Sequence, residues 1–334
     1  MKVVIYGAGS IGCYLGAVLA KQNIDVVLLG RDRLKAIVDK RGGVQITDYQ
    51  GRNDFVKAMS YHTQPEVLAQ ADVVLVTLKC TAMEEAASVL AQHCKPGALV
   101  VCLQNGVGAE KPVLDQVKRA EVCCGIVPFN VVQGDNAQFH RATEGTLHLP
   151  AHPSLNTIAE ACVSYGLPCE LSSDMPTIIW GKLLLNLNNA INAISDLPLK
   201  EQLSQRGYRR VLAACQMELL AACEKKDIPL AQLTAVKPKW LPKILNLPDW
   251  LFRIVAQKML AIDPQARSSM WEDIQAQRPT EIDYLNGAVV ALAKDVGVPS
   301  PANTVVLELL KAVSDAKTSP PISSEEILSR LSEE

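Results

Sequence analysis

Residues 178–192, IIWGKLLLNLNNAIN, set one lysine, Lys182, into an otherwise apolar helical pattern together with four amides, Asn186, Asn188, Asn189 and Asn192. At about 100° per residue, Lys182, Asn186 and Asn189 fall within roughly 60° of one another and form a polar stripe. Asn is a mediocre helix former, so several in one helix mark either a solvated face or an amide-lined pocket. The flanking Ile178, Ile179, Leu183, Leu184 and Leu187 argue against full exposure. A lysine in such a pocket can hydrogen-bond a carbonyl oxygen and give it a proton as it becomes an alkoxide.

A second group of residues suits a phosphate. Gly7-Ala8-Gly9-Ser10-Ile11-Gly12 follows the run KVVIY and opens a helical pattern. In that context Gly7 permits a tight turn, Gly9 lets backbone approach a pyrophosphate, Gly12 allows close helix–strand packing, and the helix start offers unpaired N–H groups. The next strand-like run, IDVVLLG, leads into Arg31-Asp32-Arg33. An arginine there pairs with the 2′-phosphate of NADP, with Arg33 close by, whereas Asp32 offers the alternative of an NAD ribose and leaves Arg31 a solvated charge. The first reading is favoured.

Lys79 ends the run DVVLVTLK and Asn105 follows ALVVCLQ. Ligands of open parallel sheets lie beyond the carboxyl ends of strands, so both are site candidates; a loop charge and a turn former before Gly106 are the plain alternatives. The last cluster is RSSMWED, residues 267–273, followed by TEID, residues 280–283. Thr280 with Asp283 matches a capping box opening the next helix, and Glu272 with them reads as ordinary capping polarity. Ser269 and Glu281 remain as site candidates.

Stepping from these residues to the elements that carry them, apolar runs alternate with helical stretches from Met1 to about Leu171, which predicts a parallel sheet covered on both faces. The runs VQITD and NDFVKAM predict a hairpin, and residues 138–149 a second one. Near Asp174 and Pro176 the pattern becomes almost wholly helical, with helices expected near 176–194, 201–226, 267–277 and 280–296. The expected fold is α/β: a doubly wound, Rossmann-type domain over residues 1–173 and an all-α domain over 174–334. A stretch with Pro238, Trp240, Pro242, Pro248 and Trp250 interrupts the helices, and residues 323–334 read as a short acidic helix or a frayed tail.

The 334 residues carry 33 Lys and Arg against 35 Asp and Glu, a net charge of −2, so no global field favours nucleic acid or an anionic membrane. No apolar run is long enough to span a bilayer, and the chain opens on a strand-like run instead of a secretory signal, so a cytoplasmic protein is expected. The ten cysteines show no Cys-x-x-Cys or zinc-like spacing and read as reduced thiols, Cys123 and Cys124 as buried filler. No metal site is expected.

Taken together, GAGSIG, Arg31, the VTLK ending in Lys79, LQNG, the IWGK helix and SSMWED with TEID resemble the ketopantoate reductase family (2-dehydropantoate 2-reductases) over nearly the whole chain. The resemblance implies NADPH-dependent reduction of the 2-keto group of ketopantoate to pantoate, a step of pantothenate synthesis, in the cleft between the two domains. It implies that Gly7, Gly9 and Gly12 hold the pyrophosphate, Arg31 the 2′-phosphate, and Lys79, Asn105 and Glu281 the cofactor side. Lys182 becomes the proton donor, oriented by Glu281, while Asn105, an Asn one turn after Lys182, and Ser269 contact the substrate.

The sequence departs from the family in two places. The family shows Asn at +4 and +8 from the lysine; here Asn186 fits +4 and Ala190 stands at +8. Either Asn189 fills the place from the same face, or a shifted register makes Asn188 and Asn192 the pair. The stretch 237–260 is also longer than the family's compact form, suited to reshaping the pocket or to a partner contact. Alternatives are a reductase of another branched 2-keto acid, or a non-catalytic NADP(H)-binding regulator. A homodimer is possible.

Overall fold

The computed structural model describes residues 1–57, 59–257, 263–316 and 321–333. Two compact units divide it: Met1–Asn105 with Ala109–Met175, and Gly106–Gly108 with Pro176–Glu334. The boundary thus falls at Met175/Pro176 instead of 173/174, and three residues of a loop in the first half pack with the second. The reason for the latter is local. Val107 N–H donates to the Tyr284 carbonyl at 3.0 Å, and Gly106 (φ +84°) lies so close to the Tyr284 backbone that a Cβ would collide with its carbonyl.

The first unit runs β1 Lys2–Tyr6, α1 Ser10–Lys21, β2 Asp25–Leu29, α2 Asp32–Arg41, β3 Val44–Asp48, β4 Asn53–Val56, β5 Met59–His62, β6 Val73–Val76, α3 Met83–His93, β7 Leu99–Cys102, α4 Lys111–Gln116 and β8 Glu121–Cys124. It continues with β9 Val131–Gly134, β10 Gln138–Arg141, β11 Leu147–Pro150, α5 Asn156–Tyr165 and β12 Cys169–Ser172. The main sheet is wholly parallel with order β5-β2-β1-β6-β7-β8. The order reverses between β1 and β6, the switch point at which such sheets bind ligands. β1, β6 and β7 are buried on both faces, which is why they read as unbroken Val/Ile/Leu runs.

The VQITD and NDFVKAM runs do form an antiparallel pair, β3 with β4, although Ala58 within the second run lies outside the described residues. The second expected hairpin is corrected. β10 turns back on β9 and lies parallel to β3, while β11 pairs in parallel with β12, so residues 138–149 belong to two sheets. Asn136 and Ala137 take φ of +55° at the tight β9–β10 turn, a left-handed pair that the sequence does not advertise with glycine.

The second unit comprises α6 Met175–Asn186, α7 Asn188–Ser195, α8 Leu199–Ser204, α9 Arg206–Lys225, α10 Leu241–Leu245, α11 Asp249–Val255, α12 Ser269–Gln275, α13 Asn286–Val296, α14 Pro301–Ala316 and α15 Ser324–Glu333. The helix expected over 176–194 breaks at Leu187, and that over 201–226 breaks between Ser204 and Arg206. Helix α14 was not anticipated; Pro301 at its first turn and the apolar Val305, Val306, Leu309, Leu310 and Val313 that it buries are the signal for it. The helix expected at 280–296 begins only at Asn286. Glu281, and neither Thr280 nor Asp283, precedes a single tight turn over Ile282–Tyr284, and Asp283 pairs instead with Lys311 at 2.6 Å.

Arg209, buried in the middle of this unit, anchors the Pro- and Trp-containing stretch. Its guanidinium donates to the carbonyls of Leu203, Ser204, Leu245 and Leu247 and to Asp249 at 2.8–3.1 Å, and lies 4.1 Å from the centre of the Phe252 ring. Trp240 and Trp250 face outward. Residues 258–260, the end of this stretch, lie outside the described residues. Among the described residues no helix is long and apolar enough to cross a membrane, and no cluster of His, Cys, Asp or Glu could hold a metal ion.

Replacing Arg209 by Met leaves four carbonyls and one carboxylate without their donor. Arg209→Met is expected to lose about 3–5 kcal/mol of stability, read from the urea midpoint at unchanged slope. A loss below about 1 kcal/mol would show that water replaces the guanidinium.

Candidate active site

The turn after β1 separates its three glycines by physical role. Gly7 has φ +111°, and a Cβ on it would lie 2.6 Å from Leu78 N; one on Gly12 would press into the Gly7 carbonyl and lie 2.6 Å from Thr77 Oγ1. Thr77 Oγ1 in turn donates to the Gly7 carbonyl at 2.7 Å, tying the turn to the end of β6. Gly9 is different. Its φ of −95° suits any residue, and a Cβ there would find only Gly7 O, at 3.9 Å. Packing therefore explains Gly7 and Gly12 but not Gly9, whose bare face, next to the first-turn N–H groups of Ser10, Ile11 and Gly12, is a cradle for an anion. Ala8 is buried beside this turn, and a dinucleotide pyrophosphate fits the donor set.

Arg31 stands just beyond β2, exposed, and its guanidinium has no partner among the described residues. Its backbone is fixed where its side chain is not: the Tyr61 hydroxyl donates to the Arg31 carbonyl at 3.4 Å, and Gly30 has no room for a Cβ beside Tyr61 and Ala8. Tyr61 lies on β5, some thirty positions away, and carried no sequence signal for this task. At the ends of β6 and β7, Lys79 is exposed and precedes a single tight turn over Cys80–Ala82. Asn105 is half-buried, and its carbonyl accepts from the Cys80 thiol at 3.2 Å. Between them Gln104, not singled out from the sequence, donates from Nε2 to the carbonyls of Val76 (2.9 Å) and Leu78 (3.0 Å), which locks the two loops to one another.

In the helical unit the amides sort themselves by partner. Asn188 exchanges bonds of 3.1 and 2.9 Å with the buried Gln202. Asn192, fully buried, donates to the Leu197 carbonyl at 2.8 Å and accepts from Ser268 N–H at 2.9 Å, so both ends of its amide are engaged in structure. The shifted register of Asn188 with Asn192 is therefore corrected, and Asn192 is not a substrate contact in this arrangement. Asn186 and Asn189 stay outside these networks, on either side of the break at Leu187, so the single-helix stripe expected for Lys182, Asn186 and Asn189 is interrupted. Asn186 Nδ2 is buried with no hydrogen-bond partner, and the Asn189 side chain enters none of these networks. The break at Leu187 releases Asn188 toward α8 while α6 keeps Lys182 and Asn186 one turn apart.

Lys182 is half-buried. Desolvation pushes its ammonium down to about 8, and the Glu281 carboxylate opposes that fall, which brings together two residues a hundred positions apart. Gly181 shapes the same place: a Cβ would lie 2.6 Å from the Ala231 carbonyl, and Ala231 N–H donates to Thr177 at 2.9 Å, so a loop covers α6 beside the lysine. Near α12 it is Ser268 that does structural work, capping Trp271 N–H at 3.2 Å and donating to the Asn189 carbonyl at 3.0 Å, whereas Ser269 is exposed. Asp273 is buried and paired with Arg278 at 3.0 Å.

The sequence matches the description "Ketopantoate reductase PanE/ApbA" over residues 3–154 and "Ketopantoate reductase PanE/ApbA C terminal" over 174–314. The chain belongs to the ketopantoate reductase family. It is an oxidoreductase of that family. A 2-dehydropantoate 2-reductase of Halobacterium salinarum is 25% identical over 317 residues, covering 93% of this chain and 98% of that protein. A PanE/ApbA family ketopantoate reductase from Ralstonia eutropha has the same fold with a TM-score of 0.80 at 26% identity, covering 95% of this chain and 99% of that one. D-mandelate dehydrogenase, solved with NADH and anilino(oxo)acetate, shares the fold at a TM-score of 0.78 and 23% identity, with the same coverage.

The contrast between the glycines is testable. Gly12→Ala is expected to lower the melting temperature, because its Cβ has no space, whereas Gly9→Ala keeps the melting temperature and weakens binding of a pyridine nucleotide tenfold or more, measured by fluorescence titration. Equal nucleotide affinity in Gly9→Ala would remove the cradle.

Proposed function

We propose that this chain reduces 2-dehydropantoate to pantoate with NADPH, Lys182 giving the proton to the carbonyl oxygen. The observation that carries the reading is the desolvated Lys182 with Glu281 beside it in a chain of the ketopantoate reductase family. The nucleotide, when bound, supplies the hydride for C2 of the substrate. Gly9 and the first turn of α1 receive its pyrophosphate, Arg31 takes the 2′-phosphate, and Lys79 and Asn105 line the same end of the sheet.

A lysine that titrates near 8 is still about nine-tenths protonated at pH 7 and loses its proton far more readily than a solvated one, which suits a general acid at neutral pH. Glu281 keeps the ammonium charged and oriented. As charge develops on the substrate oxygen, the Lys182 ammonium meets it with a charge-assisted hydrogen bond and then transfers the proton. Asn186, with an amide N–H in need of an acceptor, supplies a neutral donor one turn along. Asn189 and Ser269 are the further substrate contacts proposed; Asn192 is left to the fold.

The acid form is the active one, so kcat is expected to be flat below pH 7 and to fall as pH rises through about 8, tracking deprotonation of Lys182. Lys182→Ala should lose most of kcat and retain nucleotide affinity, which separates a reductase from a nucleotide-binding regulator. A variant with wild-type turnover sinks the donor assignment. The substrate test is NADPH oxidation with ketopantoate against other branched 2-keto acids; preference for one of the others redirects the reading to that acid.

Arg31→Ala should raise KM for NADPH by roughly ten- to a hundredfold and leave that for NADH almost unchanged, since a charge-assisted contact contributes about 1.5–3 kcal/mol. Equal effects on the two nucleotides would take Arg31 away from the phosphate and return Asp32 to consideration.

A further inference from the structure

Glu281 does not sit in a helix. It precedes the tight turn Ile282–Tyr284, so what holds that turn bears on where its carboxylate lies. The end of that turn is held by a chain of buried polar groups which the reaction itself does not use. Asn286, fully buried at the start of α13, donates from Nδ2 to Asn303 Oδ1 at 3.0 Å. Asn303, fully buried in the first turn of α14, donates from its own Nδ2 to Glu218 Oε2 at 2.6 Å and to the Cys215 carbonyl at 3.0 Å. Glu218, from the middle of α9, also accepts the backbone N–H groups of Ala302 (2.7 Å) and Asn303 (2.9 Å) at the positive end of the α14 dipole.

Stability alone does not account for this arrangement. Asn286 Oδ1 is buried without a partner, a cost that an aliphatic side chain would avoid. An amide kept in such a place contributes direction: its one bond sets where α13 begins and hence where the turn before it lies. Two further contacts steady the same turn, Asp283 with Lys311 at 2.6 Å and the Tyr284 carbonyl with Val107 N–H at 3.0 Å.

We propose that Glu218, Asn303 and Asn286 form a positioning chain that holds the Glu281 carboxylate beside Lys182. The three touch neither the lysine nor, on this reading, the substrate. The inference builds on Lys182 as proton donor, and its test is arranged to fail separately from that assignment.

The test is the pH dependence of Lys182 acylation by acetic anhydride in the protein without nucleotide, followed by peptide mass spectrometry, alongside kcat, KM and melting temperature. In Asn286→Ala the freed Glu281 opposes desolvation less, so the acylation midpoint should fall by half a pH unit or more. The kcat at pH 8 should fall about twofold or more, with KM for NADPH within twofold. Asn286→Gln, which keeps an amide donor, should recover part of both. A lower melting temperature with unchanged midpoint and kcat overturns the proposal and makes the chain ordinary packing. If Asn286→Ala does not accumulate as folded protein, Asn286→Ser is read by the same criteria. A midpoint that moves while neither wild type nor variant reduces any 2-keto acid leaves the positioning chain standing and removes the reductase reading.

Discussion

A lysine ammonium set among apolar side chains must be offset by an opposing charge or give up its proton, and the helical unit is organised around that constraint. Desolvation and the Glu281 carboxylate pull Lys182 in opposite directions, and the net result lowers its ammonium to about 8. Most of what surrounds it bears on the balance. Gly181 admits the Ala231 backbone and so keeps water from one side of α6. The break at Leu187 turns Asn188 and Asn192 into supports for α8 and for the Ser268 cap.

The nucleotide end obeys a different constraint, that of backbone proximity. Three strands and a helix meet at the switch point of the sheet, and Gly7, Gly12 and Gly30 are each confined by a neighbouring atom of the protein. Gly9, in the same turn, has free space, so packing does not explain it. Gln104 and Tyr61 complete this end by fixing carbonyls, and carbonyls fix loops.

Buried polar side chains far from the site carry much of the helical unit. Arg209 donates to carbonyl oxygens at the ends of α8 and α10 and to the Asp249 carboxylate at the start of α11, while the Glu218 carboxylate accepts the backbone N–H groups in the first turn of α14. Such groups are costly to bury and specific in direction, which makes them suited to setting how helices meet.

The sequence by itself determined the parallel β–α alternation, the glycine turn and its place at the first strand, the change to helix near Asp174, and the one-turn spacing of Lys182 and Asn186. All of these are local: periodicity, strand length and one turn's stereochemistry are written within a dozen residues. Only the tertiary structure decided which of four neighbouring asparagines are structural, that Ser268 and not Ser269 is the cap, and that residues 138–149 divide between two sheets. It also brought Glu281 to Lys182, Tyr61 to Arg31 and Glu218 to α14. In each case the deciding partner lies tens of residues away, and the same amide, hydroxyl or carboxylate fits a solvated face, a cap or a pocket until burial removes water from the choice.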